Sequence, residues 1–200
     1  ETLFLCINII DRFLSVKAVI RQKLQLVGVS ALLIACKYEE IYAPEVKDFV
    51  YITDNAYTRS EVLNMESEIV YELNFNLLTH STLFFLNRIS SIIGSSPEEI
   101  NLSRYLIELC LCSYSMLKFS PIYISSASIF VTRKLLMKEL CWPSLLEEFT
   151  ELRETDVREC AKDICLMLAN NQLNSFKSIK KKFASDKYMS VSNIQIEKRK

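Results

Sequence analysis

Apolar residues recur at intervals of three and four along most of the chain, as in Val62, Met65, Ile69 and Leu73 or Val157, Cys160, Ile164 and Leu168, and strand-like alternation does not persist. That spacing returns side chains to one face of a helix with 3.6 residues per turn. It predicts an all-α chain with helices over 2–15, 22–38, 44–52, 58–73, 80–93, 98–117, 121–138, 143–150, 154–170 and 175–184. The punctuation agrees. Pro44, Pro97, Pro121 and Pro143 each fall where a helix could start, because a fixed φ suits the first helical position and the missing N–H is not needed there. Ser96-Pro97-Glu98-Glu99 and Thr58-Arg59-Ser60-Glu61 have the spacing of capping boxes, and Ser120 before Pro121 reads as a further cap.

Two predicted helices are apolar on all sides yet rich in small side chains. They contain Gly28-Val29-Ser30-Ala31 and Ser125-Ser126-Ala127-Ser128, 97 positions apart. Such helices let others approach from several directions, so each is expected at the centre of a bundle. Val62, Met65 and Ile69 match Val157, Cys160 and Ile164 at a separation of 95, and near-equal separations predict a duplicated helical module.

Composition narrows the function more than the fold. Lys plus Arg equals Asp plus Glu at 24 each, which disfavours a protein whose main task is gripping a polyanion. Lys180-Lys181-Lys182 and Lys198-Arg199-Lys200 are the only basic concentrations and read as solvated tails. Cys6, Cys36, Cys110, Cys112, Cys141, Cys160 and Cys165 form no CxxC pair and lie among apolar residues, the pattern of reduced core thiols in the cytosol or nucleus. No apolar run approaches the roughly 20 residues needed to span a bilayer. His80 is the only histidine, no Gly-rich phosphate loop occurs, and the adjacent Glu39 and Glu40 diverge around a helix, so no catalytic residue and no cofactor or metal site is expected.

Two polar features stand out. The chain opens at Glu1 straight into Leu3–Ile10, apolar on nearly every face, which leads us to expect a covering helix upstream. Asp11 lies in that segment, and its neighbour Arg12 points about 100° away around the helix. Further on, the apolar run 26–36 ends abruptly in Lys37-Tyr38-Glu39-Glu40. By itself that cluster reads as a solvated helix end whose cation favours the C-terminal dipole.

Asp11-Arg12-Phe13-Leu14-Ser15, Lys23–Gly28, Lys37–Val46, Phe49–Thr58 and Met65-Glu66, in that order, resemble the cyclin box of A- and B-type mitotic cyclins. The segment 176–185 is similar to the end of a B-type cyclin, and Lys37–Glu40 and Thr53–Tyr57 lean towards B. The resemblance implies two tandem five-helix cyclin boxes, the first lacking its N-terminal helix. It assigns 1–77 to the N-terminal box, 78–185 to the C-terminal box and 186–200 to a basic tail. The implied function is a non-enzymatic activating subunit of a cyclin-dependent Ser/Thr kinase at mitotic entry, in nucleus and cytoplasm, with no nucleic acid or membrane partner. In the family, the first box packs on the kinase's mobile helix C, turning a glutamate towards the ATP-site lysine, and holds the activation loop open.

Carried over by motif, Lys37 and Glu66 are the polar pair that meets kinase backbone, with Tyr38, Val70, Phe75 and Leu77 as apolar contacts. Val70 and Phe75 fit a core role equally well, and Glu39 and Glu40 read as structure or solubility. Leu24, Gln25, Ile52 and Asp54 match one wall of the family's groove for Arg-x-Leu substrates or inhibitors, whose other wall belongs to the upstream helix. Leu26 and Asp11 are structural, and the family's partner for Asp11 is an arginine on that helix, so an unpaired Asp11 is expected to cost a few kcal/mol. A rival from another class is a two-cyclin-fold transcription factor resembling general transcription factor IIB, which would bind DNA and protein. Neutral charge and the mitotic motifs disfavour it.

Overall fold

The computed structural model describes residues 1–169 and 177–194, and among these no strand occurs. The chain divides into two compact units, Glu1–Ser81 and Thr82–Lys200.

The first unit holds α1 (Thr2–Val16), α2 (Leu24–Glu39), α3 (Val46–Ile52) and α4 (Arg59–Glu72). The central place expected for the small-residue helix is occupied by α2, which packs on α1, α3 and α4. Its Leu33 and Ala35 are fully enclosed, and the Ser30 hydroxyl donates to the Val62 carbonyl of α4 at 3.2 Å. Facing it, Val62, Met65, Ile69 and Leu73 are all buried, as their spacing requires. Fully burying each such side chain contributes about 1.5–3 kcal/mol.

The second unit holds α5 (Thr82–Ile92), α6 (Pro97–Cys110), α7 (Pro121–Leu135), α8 (Ser144–Thr150), α9 (Glu154–Ala169) and α10 (Lys177–Phe183). At its centre is α7, packed on α5, α6 and α9, with every residue from Ser125 to Thr132 buried. Thus α6, α7 and α9 repeat the order and packing of α1, α2 and α4 around one buried helix, with α3 and α8 as the short element in each.

Several expectations change in detail. The helix predicted over 98–117 stops at Cys110, and the chain resumes as a 3-10 turn at Tyr114–Lys118. That turn is pinned to α9 by Lys118, 3.2 Å from Glu159 and 2.9 Å from Asp163, a tertiary tie that periodicity does not reveal. The helix predicted over 121–138 ends at Leu135, where Met137 takes a positive φ of 54° and closes the end through Lys138 N–H donating to the Arg133 carbonyl. Both expected capping boxes form, but Ser120 makes no side-chain cap bond. Pro44 lies outside its helix, which starts at Val46 with an unforeseen box between Glu45 and Asp48.

Not all cysteines are core thiols. Cys6, Cys36, Cys110 and Cys160 are buried, Cys141 is intermediate, and Cys112 and Cys165 are exposed because they fall on the outer faces of their segments. Burial, then the neighbouring Cys36, pushes Cys6 up to about 11, and burial, then Asp163, pushes Cys160 up to about 12, so both are poor nucleophiles. The lysine run is not merely solvated either. Lys182 reaches both oxygens of the buried Glu108 on α6 at 2.7 and 2.8 Å, and Phe183 is fully enclosed against Tyr105 and Tyr188. Residues 186–194, expected as tail, continue this packing: Val191 is buried and the Ser192 hydroxyl donates to the Lys180 carbonyl. Residues 175 and 176, where the last predicted helix begins, and Lys198-Arg199-Lys200 lie outside the described residues.

Candidate functional site

Lys37 occupies the last turn of α2, where the carbonyls of Val29 to Cys36 have already aligned the helix dipole in favour of a cation. Glu66 lies on α4, one residue past the buried Met65, and so on the flank of that helix rather than its core face. The packing of α4 on α2 brings the two together: Lys37 Nζ donates to Glu66 Oε1 at 2.7 Å and to Oε2 at 2.9 Å. The Lys37 side chain keeps 49% of its exposure and that of Glu66 17%, so the pair is presented at the surface on a stiff support. In such a setting an ion pair stabilises the fold by only about 0–1 kcal/mol. Its unused donors and lone pairs remain available to another backbone.

Apolar surface flanks the pair. Tyr38, next to Lys37, is half exposed. Val70, one helical turn after Glu66, is partly buried against the core, as is Leu77. Phe75 is 76% exposed, which removes the core reading for it. It follows α4 in a tight turn, with Asn74 and Phe75 at positive φ of 52° and 56° and Phe75 N–H donating to the Val70 carbonyl at 2.9 Å. Left-handed backbone at a bulky aromatic costs on the order of 1–3 kcal/mol, and such strain persists where surrounding structure imposes it. Tyr71 and Leu78, each one residue beyond a motif-derived position, are more exposed than Val70 and Leu77. The sequence signal for them was available, since Tyr71 falls opposite the stripe of Val62, Met65 and Ile69.

The second set gathers at the other end of α2. Leu24 and Gln25 open the helix and are exposed, while Leu26 is buried. Ile52 ends α3 with 59% exposure, and Asp54 follows it at a positive φ of 56°. The Tyr57 hydroxyl donates to the Gln22 carbonyl at 3.0 Å, tying the segment after Asp54 to the turn before Leu24. Asp11, on α1, is partly buried, and burial raises its carboxyl above the ordinary value. It has no ion pair or hydrogen bond among the described residues, and Arg12 turns instead to Asn8 at 3.4 Å. Because Asp11 retains some contact with solvent, its cost is smaller than that of a fully enclosed charge.

Among the described residues no group of three or more His, Cys, Asp or Glu could hold a metal ion, and no helix is long and apolar enough to cross a membrane. The first unit thus carries one fixed polar pair on α2 and α4 and an exposed aromatic in the turn that follows α4.

Residues 1–78 match the family described as Cyclin, N-terminal domain, and residues 81–197 that described as Cyclin, C-terminal domain. Over 197 residues the chain is 41% identical to the G2/mitotic-specific cyclin-B of Dictyostelium discoideum, covering 98% of this chain and 45% of that protein. The G2/mitotic-specific cyclin-B2 of Oryzias latipes and that of Homo sapiens are also 41% identical, each over 97% of this chain and 50% and 49% of their own lengths. The chain thus spans about half the length of the curated relatives it matches. A viral cyclin from herpesvirus saimiri shares the fold, with a TM-score of 0.74 at 19% identity over 85% of this chain and 76% of that one. With both cyclin domains matched in order on the two helical units, the chain belongs to the cyclin family.

Proposed function

We propose that this chain binds a cyclin-dependent Ser/Thr kinase and activates it at mitotic entry, in nucleus and cytoplasm, without chemistry of its own. The observation that carries this reading is the Lys37–Glu66 pair, held between α2 and α4 next to the exposed Tyr38, with the exposed Phe75 in the turn after α4. Lys37 can donate to carbonyls and Glu66 can accept from N–H groups left unpaired at a helix or loop terminus of the kinase. The G2/mitotic-specific names of the relatives support a step at mitotic entry.

Activation requires preferential binding to the active state. Moving a kinase from 1:99 to 99:1 in favour of that state takes about 5.5 kcal/mol of differential binding. The surface ion pair supplies too little. About 220 Å² of apolar surface, buried only against the active arrangement, would supply it at about 25 cal/mol per Å². Tyr38, Val70, Phe75 and Leu77 are the residues assigned to that burial. Leu24, Gln25, Ile52 and Asp54 are assigned to one wall of a docking surface for Arg-x-Leu segments, with Asp54 towards the arginine and Leu24 and Ile52 towards the leucine.

The test is phosphorylation of linker histone by an isolated, inactive mitotic cyclin-dependent kinase, with and without the chain. Activation is expected, and the double substitution Lys37→Ala, Glu66→Ala should abolish it while leaving the helical circular dichroism signal unchanged. Full activation by that variant would refute the assignment of the pair.

A further inference from the structure

Between α2 and α3 the chain crosses a short irregular segment, Glu40–Glu45, whose two ends are fixed and whose middle is not. At one end Glu40 N–H donates to the Cys36 carbonyl and the Glu40 side chain accepts from the Thr2 hydroxyl. At the other, Glu45 N–H donates to Asp48 Oδ2 at 2.9 Å. Between them the N–H and C=O groups of Ile41, Tyr42 and Ala43 make no hydrogen bond among the described residues. Ile41 is 90% exposed and Tyr42 92%, beyond any exposure that packing would produce. Glu40 and Glu45 are already extended, with ψ of 140° and 156°, and Pro44 disfavours helix at Ala43. The bend at Ile41 and Tyr42 can therefore straighten without breaking a bond.

We propose that Tyr42 is a phosphorylation site for a protein tyrosine kinase with a basic substrate groove. Such an enzyme must lay the acceptor segment out along its groove, where main-chain groups pair and alternate side chains enter pockets. The uncommitted backbone of residues 41–43 meets the first need. Glu39 and Glu40, three and two residues before the tyrosine, supply charge for the groove, and Ile41 supplies an apolar neighbour. In the transfer, Tyr42 Oη attacks the γ-phosphorus of ATP, the bond to the β-phosphate oxygen breaks, ADP leaves, and the phenolic proton passes to the enzyme's base. The phosphate adds about −1.5 to −2 charges at neutral pH.

The other exposed tyrosines lack one or more of these features. Tyr51 and Tyr71 lie within α3 and α4, with their backbone held in helical bonds, and the two glutamates beside Tyr71, Glu68 and Glu72, are both engaged by Lys17. Tyr114 is 89% exposed, but it opens a 3-10 turn in Leu111-Cys112-Ser113-Tyr114-Ser115-Met116 with no nearby acidic residue. Tyr38 is half exposed and inside α2. Glu45, on the other side of Tyr42, is paired with Lys47 at 2.8 Å, so the charge for the groove comes from Glu39 and Glu40.

The experiment incubates the full 200-residue chain with a purified tyrosine kinase catalytic domain selective for acidic peptides and Mg-ATP, and maps phosphate by mass spectrometry at early times. Label is expected first on Tyr42, with most of the initial incorporation lost in Tyr42→Phe and a slower rate in the Glu39→Gln, Glu40→Gln variant. A synthetic peptide covering residues 36–49 is run in parallel. Absence of label from Tyr42 in the folded chain, whether or not the peptide is labelled, overturns the proposal. So does first labelling at Tyr51, Tyr71 or Tyr114.

Discussion

Gly28 and Ser125 occupy corresponding places in the two central helices, and their surroundings are opposite. At Ser125 the side chain is fully buried and its hydroxyl donates to the Thr82 carbonyl at 2.7 Å and the Pro121 carbonyl at 2.8 Å. At Gly28 an added Cβ would meet nothing within 4 Å. Close helix approach, the reason the sequence offered for a small residue, therefore holds at Ser125 and fails at Gly28. Glycine inside a helix costs roughly 0.5–1 kcal/mol relative to alanine, mainly through backbone entropy. Gly28→Ala should accordingly stabilise the first unit by about that amount, or about 2–8 °C for a unit of this size. A thermal melt with the transition unchanged or lowered would show that the position is under another constraint. Residue-scale environment of this kind is hard to read from sequence, because the two runs look alike and only their neighbours differ. The Lys37–Glu66 contact was legible only through the family motifs, since nothing in the local periodicity of α2 and α4 says which polar residues meet across them.

Glu99 shows the same limit one scale up, where a helix start becomes a tertiary joint. As a capping box it was legible from four letters: Ser96 N–H donates to Glu99 Oε2 at 2.8 Å, and Glu99 N–H donates to the Ser96 hydroxyl at 3.3 Å. Its second role was not. Arg133, on α7, reaches Glu99 Oε1 at 3.0 Å and also binds the Leu140 carbonyl, so the box locks α6 to the end of α7. Burial pushes the Glu99 carboxyl up, but the Ser96 N–H and hydroxyl, then Lys138 and Arg133, more than offset it and hold it below the ordinary 4.5. A carboxyl depressed in the folded state contributes stability that is complete above its unfolded value and is lost as pH falls through its folded value. Acid melting of the second unit should therefore steepen below about pH 4.5 in the parent chain and be shallower in Glu99→Gln. Glu99→Ala, which leaves Arg133 largely enclosed without its carboxylate, should cost about 3–5 kcal/mol at neutral pH. Equal acid sensitivity of parent and Glu99→Gln would rule the linkage out.

For the whole molecule, the duplication was the most legible property and the closing segment the least. Repeated spacing of small and core residues foretold two units around α2 and α7, because each central helix imposes the same burial pattern on its sequence. The run Lys180-Lys181-Lys182, by contrast, looks like a tail in any local window, and only the position of Glu108, far upstream on α6, makes Lys182 a partner. Phe183 is the matching apolar anchor, enclosed with Tyr105 at 5.4 Å and Tyr188 at 4.7 Å between ring centroids. Truncating such an aromatic removes its transfer free energy and leaves a cavity, costing about 3–5 kcal/mol. The first unit has its own buried cluster, built from α1 to α4 and containing none of these side chains. Phe183→Ala should therefore speed amide hydrogen exchange in α6 and α7 while α2 keeps its protection, since exchange reports the stability of each cooperative region separately. If α2 lost protection in step with α7, the two units would be unfolding as one, and the closing segment would be stabilising the entire chain rather than the second bundle alone.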